Sequence, residues 1–261
     1  MSEALEKRVD LSFLSFVTGN AAALHAELRG ACVRSARTND GTSPPDRNRI
    51  VGFVNPHVFN TACDDADVRR FLHAADLLCV DGLGIQLAVL ASRGRWLPRC
   101  VAEHVFRRLV ETLDVATDAV LIGTTREEVE RAARAINTAS PALNVVATLD
   151  GFADDDDARR FLRRHHAVPL VLIGAGSPKS ERLALLADTP RRGATIFHIG
   201  GGTIKTWAGT KRRAPALVSR LGLEWLHRLV LEPHTRHRYT IGGLKFIGHL
   251  LRRRRGDDQI A

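Results

Sequence analysis

Six short runs of apolar, β-branched-rich residues recur along the chain, at 50–54, 77–80, 119–123, 145–149, 170–174 and 195–199. Each has the length of a strand and is predominantly apolar, without regular polar alternation. That predicts strands buried on both faces, as in a parallel sheet. Between them, residues 67–75, 84–93, 103–113, 126–136, 158–165 and 181–187 carry apolar residues at helical spacing. Strand–helix alternation on this scale predicts an α/β fold: a Rossmann-like, doubly wound, mainly parallel sheet of about six strands. Such sheets bind ligands at the carboxyl ends of their strands. The residues that follow each run are therefore where chemistry is expected.

The 261 residues suffice for one such domain with an appendage. The polar, proline-containing stretch 37–48 predicts a loop. It sets an N-terminal segment, 1–48, apart from a core at 49–215. After Pro215 the rhythm changes. Residues 216–231 are helical in pattern, Pro233 breaks them, and 239–255 form a last basic helix. Residues 216–261 are thus expected to be a basic C-terminal helical appendage.

The formal net charge is +9 and the pI about 10.2, with most of the excess in residues 205–255. An anionic partner is implied. No aromatic-rich basic platform or nucleic-acid motif appears, so nucleic acid is not the expected partner. Cys32, Cys63, Cys79 and Cys100 lack metal-ligand spacing and read as reduced thiols. Residues 1–10 are charged and lead into no signal-peptide core. No run of about 18 apolar residues exists to span a bilayer. A cytoplasmic protein is expected.

The last helix bears Ile241, Leu244, Ile247 and Leu251 at three- and four-residue steps, with Phe246 and Leu250 widening that face. Lys245 and Arg252–Arg255 supply positive charge. Two readings stand: a helix lying on anionic lipid at the inner face of the membrane, or one docked on the protein's own core.

At the strand ends, Asn55 and His57 follow the first run and suit ligand hydrogen bonding; Asn-Pro is equally a turn starter. Asp81 and Gly82 follow the second. Asp81 reads as a general base, a ribose ligand or a helix cap. Arg99 can return to the same edge and meet a phosphate. Gly174, Gly176, Lys179 and Glu181 surround the fifth strand end, and Gly201 and Gly202 the sixth. Close backbone approach and free helix N–H groups there suit a nucleotide diphosphate, although neither turn is GxGxxG or a P-loop. Arg213 and Arg228 can clamp a diphosphate; Arg228 also pairs with Glu224 at i,i+4. Asp65-Ala66-Asp67 matches the DxD pattern of metal-dependent transferases but sits at a helix start, where capping is the better reading. Asp154–Asp157 suits a helix N-terminus.

These motifs together resemble the WecG/TagA/CpsF family of glycosyltransferases over roughly residues 50–240. The resemblance rests on Asn55-x-His57, Asp81-Gly82-x-Gly84-Ile85, Arg99, Gly174-x-Gly176-x-Pro178-Lys179-x-Glu181, Ala208-Gly209 with Arg213-Ala214-Pro215, and Gly222-Leu223-Glu224-Trp225-x-x-Arg228-Leu229 with Glu232-Pro233. It implies an inverting, metal-independent enzyme that moves a sugar from UDP to a polyprenyl-diphosphate-linked acceptor, with no cofactor and with Asp81 as base. It also implies that the C-terminal appendage completes the site at the membrane. Departures from the family pattern are Ser180 for Gln, Ile204-Lys205 for Phe-Asp, Phe53 for Thr, and Ala102 and His104 for Gly and Asp. Lys205 in place of an acid points to a more anionic donor and joins the candidate substrate-binding residues.

Two other readings stay open. A nucleotide-dependent oxidoreductase would share the sheet but lacks the dinucleotide fingerprint. A non-catalytic family member would explain Ser180 and Lys205. The oligomeric state, a homo-oligomer included, is left open by the sequence.

Overall fold

The computed structural model describes residues 8–11, 14–38, 48–188, 193–211 and 240–257. A hairpin of β1 (Arg8–Leu11) and β2 (Leu14–Val17) leads into α1 (Ala21–Thr38). Then follow β3 (Arg49–Val54), α2 (Pro56–Asp64), α3 (Ala66–Ala74), β4 (Leu77–Val80), α4 (Leu83–Arg93), α5 (Ala102–Thr112), β5 (Thr117–Gly123), α6 (Arg126–Ala139), β6 (Leu143–Leu149), α7 (Asp155–Arg164), β7 (Leu170–Gly174), α8 (Lys179–Ala187), β8 (Thr195–His198), α9 (Gly201–Trp207) and α10 (Ile241–Asp257).

The six apolar runs form one six-stranded sheet in the order β4-β3-β8-β7-β5-β6, and every pairing in it is parallel. Alternate residues of each strand feed opposite cores. Val51, Phe53, Leu121 and Phe197 pack with residues of α1, α5, α6 and α9. Ile50, Val54, Ile122 and Ile196 pack with residues of α2, α3, α4, α7 and α8. The expected α/β, mainly parallel, doubly covered sheet is what the chain forms.

The N-terminal segment is more structured than its sequence suggested. Leu24 and Leu28, one turn apart, are buried with Cys32 against the sheet. His25 Nε2 meets the Thr112 hydroxyl at 2.8 Å. This helix runs through Thr38, so residues 37 and 38, expected in a loop, are helical. β2 lies against β4 and β1 against α4. That cover explains why the edge strand β4 is buried along its whole length. The expected helix at 216–231, together with Arg213 and Arg228, lies outside the described residues.

The tail helix settles between its two readings. Phe246 is buried, with its ring edge-on to Phe59 of α2 at 5.2 Å, and Leu250 packs beside that core. Asn60 Nδ2 donates to the Gly242 carbonyl at 2.7 Å, and Lys245 Nζ to Asp64 at 2.6 Å. Ile241, Leu244, Ile247 and Leu251 turn the other way and stay exposed, Leu244 by 72%. One side of α10 is docked and an apolar stripe remains bare. Among the described residues no helix is long and apolar enough to cross a membrane.

Candidate active site

At the β3–β4 end of the sheet three segments converge. Asn55 caps α2: its Oδ1 accepts from the N–H of His57 at 3.0 Å and of Val58 at 3.2 Å. The Asp81 N–H donates to the Val54 carbonyl at 2.8 Å, which ties the turn after β4 to the end of β3. Gly82 then takes φ 130°, a conformation that side chains rarely adopt. A Cβ there would lie 3.7 Å from that of Asn55. Gly82 is also the residue before α4, and no side chain caps that helix. The helix-cap reading of Asp81 therefore falls, and its carboxylate sits half-buried at the mouth instead.

Arg99 belongs to the same mouth. The Cys100 N–H donates to the Val80 carbonyl at 2.8 Å, and Gln86 Nε2 reaches the Leu97 carbonyl at 2.7 Å. These bonds return the chain to the end of β4, so Asn55, His57, Asp81, Gly82 and Arg99 share one edge. Gly84 completes the arrangement. A Cβ on it would come within 2.6 Å of Pro56, so only glycine lets α4 start so near α2.

The β7–β8 end is built differently. A Cβ on Gly174 would lie 2.7 Å from the Gly200 carbonyl oxygen, and one on Gly201 2.9 Å from that of Gly174. Ile204 crosses beneath, within 2.8 Å of the first position. These two glycines let neighbouring strand ends touch, which is a packing role. Gly176, at φ 83°, and Gly202 have nothing within 4 Å of an added methyl and border open space. Ser180 and Glu181 are fully buried. The Ser180 hydroxyl accepts from the Ala175 N–H at 2.8 Å, pinning the turn. Neither Glu181 oxygen has a hydrogen-bond partner, nor has Nδ1 of buried His198. Burial pushes the His198 pKa down, and the nearby Glu181 carboxyl opposes that shift.

The cations are partly engaged. Lys179 Nζ donates to the Ala153 carbonyl at 2.6 Å and lies 3.9 Å from Asp155, at the start of α7. Lys205 is exposed, and its field reaches Glu128. Burial pushes the Glu128 pKa up, but hydrogen bonds from Thr210 and Thr125, with Lys205, bring it below the ordinary value. The DxD acids serve structure: Asp65 caps α3 and accepts from Arg182 at 2.9 Å, and Asp67 lies 3.2 Å from the same guanidinium. Asp154 caps α7.

The sequence model described as the Glycosyl transferase WecG/TagA/CpsF family matches residues 33–259. The chain belongs to this family. It is 24% identical, over 188 residues, to the N-acetylglucosaminyldiphosphoundecaprenol N-acetyl-beta-D-mannosaminyltransferase of Bacillus subtilis (strain 168), covering 70% of this chain and 72% of that relative. As a WecG/TagA/CpsF member the chain is a glycosyltransferase.

Two residues at this sheet edge were not singled out from the sequence. Thr124 follows β5 with φ 51°, the single non-glycine residue at positive φ among those described, and its buried hydroxyl has no partner. Such strain is costly for a β-branched residue and tends to gather at functional sites. Phe152 is 80% exposed, two residues beyond the Asp150 carboxylate that accepts its N–H. A bare Phe after a strand-end Gly was the available signal.

Proposed function

We propose that this glycosyltransferase moves a sugar from a UDP-sugar to a polyprenyl-diphosphate-linked saccharide, with inversion and without a metal. It would act in the cytoplasm, peripherally on the inner face of the membrane. The observation that carries the reading is the shared mouth of Asn55, Asp81, Gly82 and Arg99. A half-buried carboxylate there, on a turn held by backbone bonds and not used to cap α4, suits a general base.

The reaction is a single displacement. Asp81 takes the proton of the acceptor hydroxyl as its oxygen bonds to the anomeric carbon. The bond from that carbon to the UDP oxygen breaks on the opposite face, and UDP leaves with the electron pair. Negative charge grows on the diphosphate. Arg99, the open backbone at Gly176 and Gly202, and Arg213 and Arg228 are the donors assigned to meet it. Lys179 joins them once it exchanges the Ala153 carbonyl for a phosphate oxygen. The relative's lipid-linked substrate and the bare stripe of α10 support an acceptor presented at a bilayer.

Thermal unfolding with UDP, a panel of UDP-sugars and NAD(P) tests the donor. At 100 times its dissociation constant a ligand adds about 2.7 kcal/mol, a shift of several degrees. Stabilisation by UDP and one UDP-sugar is expected. Stabilisation by NAD(P) alone would overturn the reading in favour of an oxidoreductase.

A further inference from the structure

The outer face of α4 and the turn after it are unlike an ordinary solvated surface. Ile85, Gln86, Ala88 and Val89 point inward, while Leu87 and Leu90, on the opposite side, are 50% and 41% exposed. Gly94 ends the helix at φ 64°, and Trp96 stands 54% exposed just beyond it. This is no loose loop. Leu97 is buried and its carbonyl accepts from Gln86, while Arg93 Nε donates to the Asp10 carbonyl at 3.1 Å. The turn is held from both sides, and an indole is displayed on a fixed base beside Arg93 and Arg95.

α4 begins at the mouth, two residues after Asp81. A Cβ on Gly84 would lie 3.9 Å from Phe246, so the start of α4 borders α10. Leu87 is three residues further along, on the same flank of the helix as Gly84. Both elements present bare apolar side chains: Leu87, Leu90 and Trp96 from α4 and the turn beyond it, Ile241, Leu244, Ile247 and Leu251 from α10. Both add cations. Among the described residues Arg93, Arg95 and Arg252 have no carboxylate partner. A second copy of the same face would bring arginine against arginine. Anionic headgroups over hydrocarbon match both features, and tryptophan with arginine is suited to that boundary.

We infer that the α4 edge, through Leu87, Leu90 and Trp96 with Arg93 and Arg95, is a second contact with an anionic bilayer, distinct from α10. It rests on the reading that the acceptor is lipid-linked. Two separate contacts fix the orientation of the Asp81 mouth, where one helix alone would leave the molecule free to roll about its axis.

Co-sedimentation with phosphatidylglycerol/phosphatidylcholine vesicles tests this, alongside quenching of tryptophan by brominated phosphatidylcholine. The chain has three tryptophans, so quenching is compared with and without Trp96. Three results are expected. Leu87→Ser with Trp96→Ser weakens vesicle binding roughly tenfold. Trp96→Phe removes most of the quenching. Both variants keep the wild-type thermal shift with UDP, which shows them folded. The inference is overturned if Trp96→Phe quenches like wild type and only Leu244→Ser with Leu251→Ser loses vesicles; α10 would then be the sole contact and the peripheral reading would stand. A wild-type chain that responds to UDP but ignores vesicles would remove the membrane reading itself. A concentration-dependent dimer abolished by Leu87→Ser with Trp96→Ser would assign the face to a second copy.

Discussion

At the end of β4, a methyl on Gly82 would meet nothing nearer than Asn55 at 3.7 Å; at the end of β7, one on Gly174 would lie 2.7 Å from a carbonyl oxygen. The first glycine is there for its backbone angle, φ 130°. It turns the chain so that Asp81 stays at the surface. The second is there for space, because adjoining strand ends touch. A family motif thus joins residues under quite different constraints. Those around Asp81 and Arg99 shape an opening that a ligand can enter. Gly174, Ser180, Glu181 and Gly201 hold the frame beside it, and Gly176, Gly200 and Gly202 border open space.

The comparison is broken most severely at Gly174. Gly174→Ala forces a methyl into the Gly200 backbone carbonyl, which cannot withdraw without moving the chain after β8, and against the Ile204 side chain. We expect a loss on the order of 3 kcal/mol, seen as a fall of roughly 10 °C in the thermal midpoint. A variant that melts like wild type would show that the strand ends can part, and would return Gly174 to the ligand-facing residues.

Asp81→Asn should do the reverse, sparing the fold and striking the reaction. The side chain is nearly isosteric and does not cap α4, so the midpoint should hold. Turnover should fall about 10²-fold or more while the UDP-induced thermal shift is kept. Unchanged turnover would take Asp81 out of the role of base.

The sheet was legible in the sequence because parallel strands buried on both faces need unbroken apolar runs. The β1–β2 hairpin and α1 were not, because their apolar residues are spread thinly and pack only where the β4 edge offers cover. At the site, Asn55, Asp81 and Arg99 stand together by position alone: each follows a strand or returns to one. The burial of Glu181 could not be read from its letter. A charged residue in a helix's first turn ordinarily faces solvent, and here the α8 N-terminus instead turns it toward β8. Lys179 was read as a phosphate ligand, but a neighbouring carbonyl holds it in this structure. The tail's helical wheel joined Phe246 to Leu244, whereas docking on Phe59 separates them.

The buried frame also has a titration signature. The His198 pKa is lowered by burial, so the unfolded chain takes up a proton near the ordinary histidine value of about 6.5 before the folded protein does. Its contribution is complete above that value. It is lost as pH falls from there toward the lowered folded pKa, with a slope of at most about 1.4 kcal/mol per pH unit. His198→Leu should flatten the decline of the thermal midpoint between pH 7 and 5. His25, whose pKa burial also lowers, leaves part of the decline in place. Identical pH profiles for variant and wild type would mean that the neighbouring Glu181 carboxyl offsets the effect of burial on His198.

The smallest effect belongs to Gly202, and it sharpens the comparison because stability and binding separate there. The position is in the first turn of α9, at ordinary φ, with no atom within 4 Å of an added methyl. Alanine is a better helix former than glycine, so Gly202→Ala should leave the midpoint unchanged or raise stability by up to about 1 kcal/mol. If the donor diphosphate approaches this backbone, the same methyl obstructs it, and UDP affinity should fall by roughly tenfold, or about 1.4 kcal/mol. A variant both stable and normal in UDP affinity would restrict the donor to the Gly176 side of the opening and place Gly202, like Gly201, with the frame.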